Sequence, residues 1–220
     1  GRLMSEGRVQ RVVVGADRGA AVHEAATLGV DCVVADDGFQ RLSLPRARSF
    51  VVVDGNRGFG NGRCLPAGPL REPVAALRDA DVLVLHGGEA PSGLRPGIRM
   101  ALEPAGLAPI QEGGQHRPLE WLRGRRVHAV AGIGDPERFF RSLEELGAEV
   151  VRHPFPDHCR YEAEWLAFLF VLAPVTTEKD AVKLRELGIP GWALRVDARM
   201  APGPGQWLQD LPEAPGGSVS

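Results

Sequence analysis

The stretch Asp31-Cys-Val-Val-Ala-Asp36-Asp37-Gly38-Phe39-Gln40 decides how the rest of this 220-residue chain is read. A short apolar, Val-rich run leads straight into two adjacent carboxylates and a glycine. Such a run predicts a buried strand, and Asp-Asp-Gly predicts an acidic turn at its carboxyl end. In open parallel sheets, ligands bind along that edge. A strand-end Asp is also the device that holds Mg2+ beside nucleotide phosphates. Two neighbouring carboxylates repel one another, so a site that keeps both ionised usually contains a cation. The competing reading is an ordinary Asp-Asp-Gly turn, and the apolar run before it brings the functional reading level with that one.

On both sides, short β-rich runs alternate with helical stretches, which predicts α/β architecture with a parallel sheet. Upstream lie a strand at Arg11-Val-Val-Val-Gly15 and a helix from Arg18 to Leu28 ended by Gly29. Downstream lie a strand at Ser49–Asp54, a Gly-rich loop to Gly68, a short helix from near Glu72 with Pro73 in its first turn, and a strand at Asp81–His86. The pattern weakens from Gly87 to Gly124, with one strand expected at Ile98–Leu102. A second α/β series follows: strand Arg126–Ala131, helix Pro136–Leu146 capped by Asp135 and ended by Gly147, and strand Glu149–Arg152. It continues with helix Glu162–Leu169, strand Val175–Thr177, helix Asp180–Leu187 and strand Trp192–Val196. The expected organisation is a first α/β domain over 1–90, a linker with one or two strands over 91–124, a second α/β domain over 125–200 and a loose tail over 201–220.

Composition narrows the function. The chain has 28 acidic and 26 basic side chains, a net charge of −2, which excludes the basic footprint of a nucleic-acid binder. Of the basic residues 24 are Arg, a bias attributed to codon usage; the two exceptions, Lys179 and Lys183, stand one helical turn apart. Three cysteines without a CxxC pair exclude a zinc ribbon and a disulfide framework and point to a reducing cytosol. The longest apolar run, Trp165–Pro174, is ten residues, about half of what a bilayer span needs. The opening residues Gly1-Arg-Leu-Met-Ser-Glu6 carry neither an initiator Met nor the apolar core of a signal peptide, so a processed chain or a fragment is expected.

Four further segments bear chemistry. Gly55-Asn56-Arg57-Gly58-Phe59-Gly60-Asn61-Gly62-Arg63 has the glycines and arginines of an anion cradle but lacks the Lys-Ser/Thr ending of a Walker A loop. Its competing reading, a flexible surface loop, is preferred on the residues alone. Arg71 and Glu72 mark a helix start suited to anions or to plain dipole electrostatics. Phe155-Pro156-Asp157-His158-Cys159-Arg160-Tyr161 offers an Asp-His pair for proton transfer, or a helix cap at Asp157. Thr176-Thr177-Glu178-Lys179-Asp180-Ala181-Val182-Lys183 runs from a strand into a helix whose bland reading is a solvated turn capped by Thr177 or Asp180. Gly132-x-Gly134 lacks the third glycine of a dinucleotide site.

Together these segments resemble the tetraacyldisaccharide 4'-kinase family of lipid A biosynthesis. The resemblance is carried, in order, by Val14-Gly-Ala-Asp-Arg18, Asp36-Asp-Gly-Phe-Gln40, Asp54 through Arg63, Leu65-Pro-Ala-Gly-Pro-Leu-Arg-Glu-Pro73, Ala131-Gly-Ile-Gly-Asp-Pro-Glu-Arg-Phe-Phe140, Phe155-Pro-Asp-His158 and Thr177-Glu-Lys-Asp-Ala-Val-Lys183. It implies a P-loop kinase fold: an N-terminally truncated parallel-sheet domain, a short β-linker and a smaller α/β domain. It also implies transfer of a phosphoryl group from ATP, with Mg2+, to the 4'-hydroxyl of a lipid A disaccharide precursor at the cytoplasmic face of the bacterial inner membrane. Asp36 and Asp37 then fall on the Mg2+-handling pair, and His158 on the histidine that assists a catalytic aspartate. Arg18, Gln40, Asn61, Arg71, Glu72 and Lys179 fall on phosphate- or substrate-binding positions. Two departures stand out: Arg41 replaces a histidine common after the DDGFQ motif, and no GxxxxGK[ST] occurs anywhere in the sequence. Without that loop to orient ATP, this chain alone is expected to be inactive. Two other classes compete with this reading: a non-catalytic α/β module that binds nucleotide or lipid, and a metal-dependent phosphohydrolase using Asp36 and Asp37.

Overall fold

The structure is a computed structural model that describes residues 11–30, 32–40, 46–157, 159, 161 and 174–203, with Arg18 described in its backbone alone. The expected helix Glu162–Leu169, Arg41 and His158 lie outside the described residues. The chain divides into two compact units, one of Gly1–Met100 with Met200–Ser220, the other of Ala101–Arg199.

In the first unit, helix α1 (Arg18–Thr27) starts where the Asp17 carboxylate accepts the amides of Gly19 and Ala20 at 2.9 and 3.1 Å. Strand β1 (Phe50–Asp54) pairs in parallel with β2 (Val82–His86), from Phe50 opposite Val82 to Asp54 opposite His86. The start of β3 (Ile98–Pro109) joins β2 on its other side, also in parallel. The beginnings of β1 and β2 are pinned by Asp81, whose carboxylate accepts both the amide and the hydroxyl of Ser49 at 2.7 Å. Those two bonds hold the Asp81 carboxyl below the usual carboxylate range. The short helix expected from Glu72 is a 3-10 helix over Val74–Asp79, entered through the extended Pro73.

Two expected strands are not formed. Arg11–Gly15 and Cys32–Ala35 belong to no strand, and Val14 and Val34 are each 91% exposed. A β-branched run becomes a strand only where a neighbour offers it a hydrogen-bonding ladder. Among the described residues none does so for these segments.

The second unit is built on β4 (Arg126–Ala131), which lies in parallel between β5 (Glu149–Pro154) and β6 (Val175–Thr177). β6 in turn pairs in parallel with β7 (Trp192–Ala201). Alternation along β4 sets the two faces. Val127, Ala129 and Ala131 pack against Phe139, Phe140 and Leu143 of helix α2 (Pro136–Glu145). Val130 points the other way, into a cluster with Ala181 and Leu184 of helix α3 (Glu178–Glu186). Both helices carry the expected caps, Asp135 on the Arg138 amide and Thr177 on the Asp180 amide, each at 3.1 Å. β3 runs longer than its apolar pattern indicated, because backbone pairing continues past it: Leu107 bridges Arg117, and the Ile110 amide reaches the Gly191 carbonyl at 2.9 Å. β7 also runs longer, to Ala201.

A histidine pair ties β4 to β5. His128 Nδ1 and His153 Nε2 stand 2.9 Å apart with their rings nearly parallel. Burial first, and the charge of His128 second, hold His153 below its ordinary value of 6.5. The folded state therefore favours neutral His153, so this contribution is complete above pH 6.5 and is lost as the pH falls through the lowered value. Thermal unfolding followed between pH 8 and pH 5 should show a fall in melting temperature that is shallower in His153→Gln; identical slopes would contradict this account.

Candidate functional site

In each unit the chemistry-bearing segments gather where parallel strands end. In the first unit, Asp54 closes β1 and its Oδ1 accepts the amides of Asn56 and Arg57 at 2.9 and 3.3 Å, which opens the Gly-rich loop. Gly55 lies so close to Gly87 and Gly88, beyond the end of β2, that a Cβ at Gly55 or Gly88 would overlap the facing backbone. The loop is braced throughout, contrary to its flexible reading. Asn61 donates from Nδ2 to the Ala67 carbonyl at 2.9 Å and accepts the Arg63 amide at 3.1 Å, while Leu65 and Leu70 are joined at 2.8 Å.

The bracing delivers Arg71. Its Nη1 lies 2.6 Å from Asp37 Oδ2, joining the loop's end to the acidic pair. Asp37 occupies the left-handed region at φ 55°, which Asp tolerates better than most residues. Both partners of the ion pair are more than half exposed. A pair so open to water contributes little stability, so Arg71 can trade this carboxylate for another anion at small cost. Asp36 and Gln40 are also exposed, and Glu72 is half-buried. The Arg18 side chain lies outside the described residues, as does His158.

In the second unit the ends of β4, β5 and β6 converge on Asp180, which has no solvent exposure. Asp180 Oδ2 accepts the Gly132 amide at 2.8 Å and the Thr177 hydroxyl at 2.9 Å; Oδ1 accepts Lys183 Nζ at 3.0 Å. Lys183 Nζ also stands 5.1 Å from the centre of the Tyr161 ring. One residue before Asp180, Lys179 pairs with Asp157 at 2.8 Å. Tyr161 is 7% exposed, and its hydroxyl meets no acceptor in good bonding geometry among the described residues. Burial, and next the charge of Asp180, push its ionisation far above the ordinary 10.0.

The structure thus joins Asp37 to Arg71 and Asp157 to Lys179, whereas Asn61 bonds within its own loop. Sequence reading undervalued Asp180, Gly132 and Tyr161. The available signal was Asp180 itself: a carboxylate one turn before Lys183, on a helix whose cap Thr177 already supplies. Among the described residues no three His, Cys, Asp or Glu side chains group to enclose a metal ion. Mg2+ needs no such cluster: it takes one or two carboxylates and completes its shell with water and phosphate. Asp36 and Asp37 are adjacent and exposed, as such a site needs, although Arg71 already engages one Asp37 oxygen.

A Cβ at Gly132 would lie 2.7 Å from the Tyr161 hydroxyl and 3.3 Å from Asp180 Oδ1. Gly132→Ala should therefore cost about 1–3 kcal/mol of unfolding free energy. Equilibrium urea denaturation measures it, and a cost near zero would mean that this contact relaxes freely.

The family profile described as tetraacyldisaccharide-1-P 4'-kinase matches residues 2–213. The tetraacyldisaccharide 4'-kinase of Alkalilimnicola ehrlichii is 47% identical over 207 residues, covering 91% of this chain and 60% of the relative. That of Pseudomonas aeruginosa is 47% identical over 182 residues, covering 81% of this chain and 54% of the relative. A crystal structure of LpxK from Aquifex aeolicus in complex with ATP is similar with a TM-score of 0.58 and 30% identity, over 79% of this chain and 54% of that one. The chain therefore spans 60% or less of each of these relatives. With motifs in order, a parallel α/β fold in each unit and a profile match over nearly the whole sequence, the chain belongs to the tetraacyldisaccharide 4'-kinase family.

Proposed function

We propose that this chain is part of a kinase that transfers the γ-phosphoryl group of ATP to the 4'-hydroxyl of a tetraacyldisaccharide 1-phosphate, the lipid A precursor. The observation that carries the reading is the Asp37–Arg71 pair at 2.6 Å, an acidic pair and a guanidinium held together by a braced glycine loop. Asp36 and Asp37 would hold Mg2+, which supplies neutralising charge to the phosphates when bound. Arg71, released from Asp37, grips a phosphate oxygen in bidentate fashion. Glu72, Gln40, Arg18 and Lys179 are the further groups proposed for phosphate or substrate, with Asn61 acting through the loop that it braces. His158 orients the proton acceptor for the attacking hydroxyl. The acceptor is a lipid, so the complete enzyme would work as a peripheral protein on the cytoplasmic side of the inner membrane. Among the described residues no helix is long and apolar enough to cross a membrane.

We further propose that the 220 residues alone do not catalyse the transfer. They contain no GxxxxGK[ST] sequence and span 60% or less of the relatives' length. The test is phosphorylation of tetraacyldisaccharide 1-phosphate by Mg-ATP, assayed with the full-length protein and with this chain. The full-length protein should be active, Asp37→Asn should lower kcat about 100- to 1,000-fold, and this chain should give no product. An inactive full-length protein would refute the kinase reading, and product from this chain alone would refute the second proposal.

A further inference from the structure

The second unit contains a buried charge cluster that the functional reading above does not use. Asp180 is wholly buried, yet it sits at the carboxyl edge of the sheet, where chemistry is expected, rather than in the apolar core. Its carboxylate bonds two chain segments, the Gly132–Gly134 turn after β4 and the cap of α3 at Thr177, and its charge bears on Tyr161, which follows β5. Lys183 supplies the opposite charge from the next helical turn, at 3.0 Å and 27% side-chain exposure. Phe155 closes the cluster edge-on to Tyr161, with ring centres 5.0 Å apart.

A buried carboxylate with a single cation and two further donors is held in one place, because any movement strands a charge without its partner. The segments bonded to it are held as well. One of them, α3, carries Lys179, which faces solvent at this edge and pairs at 2.8 Å with Asp157 of the segment after β5. A Cβ at Gly134 would lie 3.8 Å from Asp157 Oδ2, so the turn pinned by Asp180 also borders that pair.

We propose that Asp180 is a positioning residue for phosphoryl transfer and that Lys183 is its required counter-charge, together fixing the Asp157–Lys179 edge of the site. The proposal rests on the kinase reading. The composition supports the choice of cation. In a chain with 24 Arg, the only two Lys are the residues paired with Asp157 and Asp180. An ammonium places a compact point charge between the Asp180 carboxylate and the face of the Tyr161 ring, whereas a guanidinium is a wide planar fork. Asp180 and Lys183 stay off the reacting atoms and act by holding neighbouring segments.

Two measurements test this. The first uses the 220-residue chain and needs no activity. Tyr161 is the only tyrosine, so ultraviolet difference absorbance at rising pH reports its ionisation alone. Among the described residues, Asp180, Lys183 and Cys159 are the titratable or charged groups that face it. Asp180→Asn should move the titration midpoint down towards that of free tyrosine; an unmoved midpoint would overturn the cluster as described. The second uses the full-length protein in the kinase assay. Lys183→Arg should lower kcat about 10- to 100-fold, with KM for ATP within about twofold and the melting temperature unchanged. The double variant Asp180→Asn/Lys183→Met removes both charges together. It should recover the melting temperature lost in Lys183→Met while kcat stays low. Activity that returns together with stability would overturn the positioning role, as would a fully active Lys183→Arg. An inactive unmodified full-length protein would instead count against the kinase reading, and the tyrosine titration would still judge the cluster.

Discussion

Parallel pairing brings the carboxyl ends of neighbouring strands to one edge, and in each unit the chemistry-bearing segments follow from that constraint. β1 and β2 end in register at Asp54 and His86. The two loops leaving them would collide if either bore a side chain at Gly55 or Gly88. Close backbone contact there turns a glycine-rich stretch into a braced arm that carries Arg71 to Asp37. In the second unit the same geometry delivers Gly132, Asp157 and Thr177 from three adjacent strands; the buried Asp180 carboxylate joins the first and last, and Lys179 pairs with Asp157. Helix packing on β4 stabilises this arrangement from both faces; full burial of a side chain such as Phe140 or Leu143 contributes about 1.5–3 kcal/mol.

The second unit was legible because its signals are local. β4 and β6 have the expected bounds, and α2 starts at the expected cap, since alternation, capping and glycine stops depend on a few neighbouring residues. The first unit was less legible at the stretch that governed its reading. Val33 and Val34 have the composition of a buried strand, yet a strand also requires a ladder on a neighbouring segment, and composition does not contain that information. The acidic turn beyond them forms without that strand, and its Asp37 meets Arg71.

The site residues divide in the same way. Asp37 and Arg71 could be named from motifs but their pairing could not, since 34 positions separate them. Asp180 shows the opposite limit. A carboxylate near a helix start looks like a cap, and only the tertiary fold reveals that its side chain is wholly buried and bonded to Gly132, 48 positions away. The Arg-rich composition carried no information about partners, whereas its two exceptions marked both ion pairs at one sheet edge.

The outer edge of β1 has a practical meaning for anyone who handles this chain by itself. Among the described residues β1 is the terminal strand of its sheet, with Phe50 37% and Val52 56% exposed, and the valine-rich segments around Val14 and Val34 are still more open. A terminal strand flanked by exposed β-branched residues is a template on which a second copy can add its own strand. Solutions of this chain should therefore be kept dilute and away from shear. A lysine in place of Val52 is the natural gatekeeper against filament growth, because it sets a charge on the edge that another copy would have to bury.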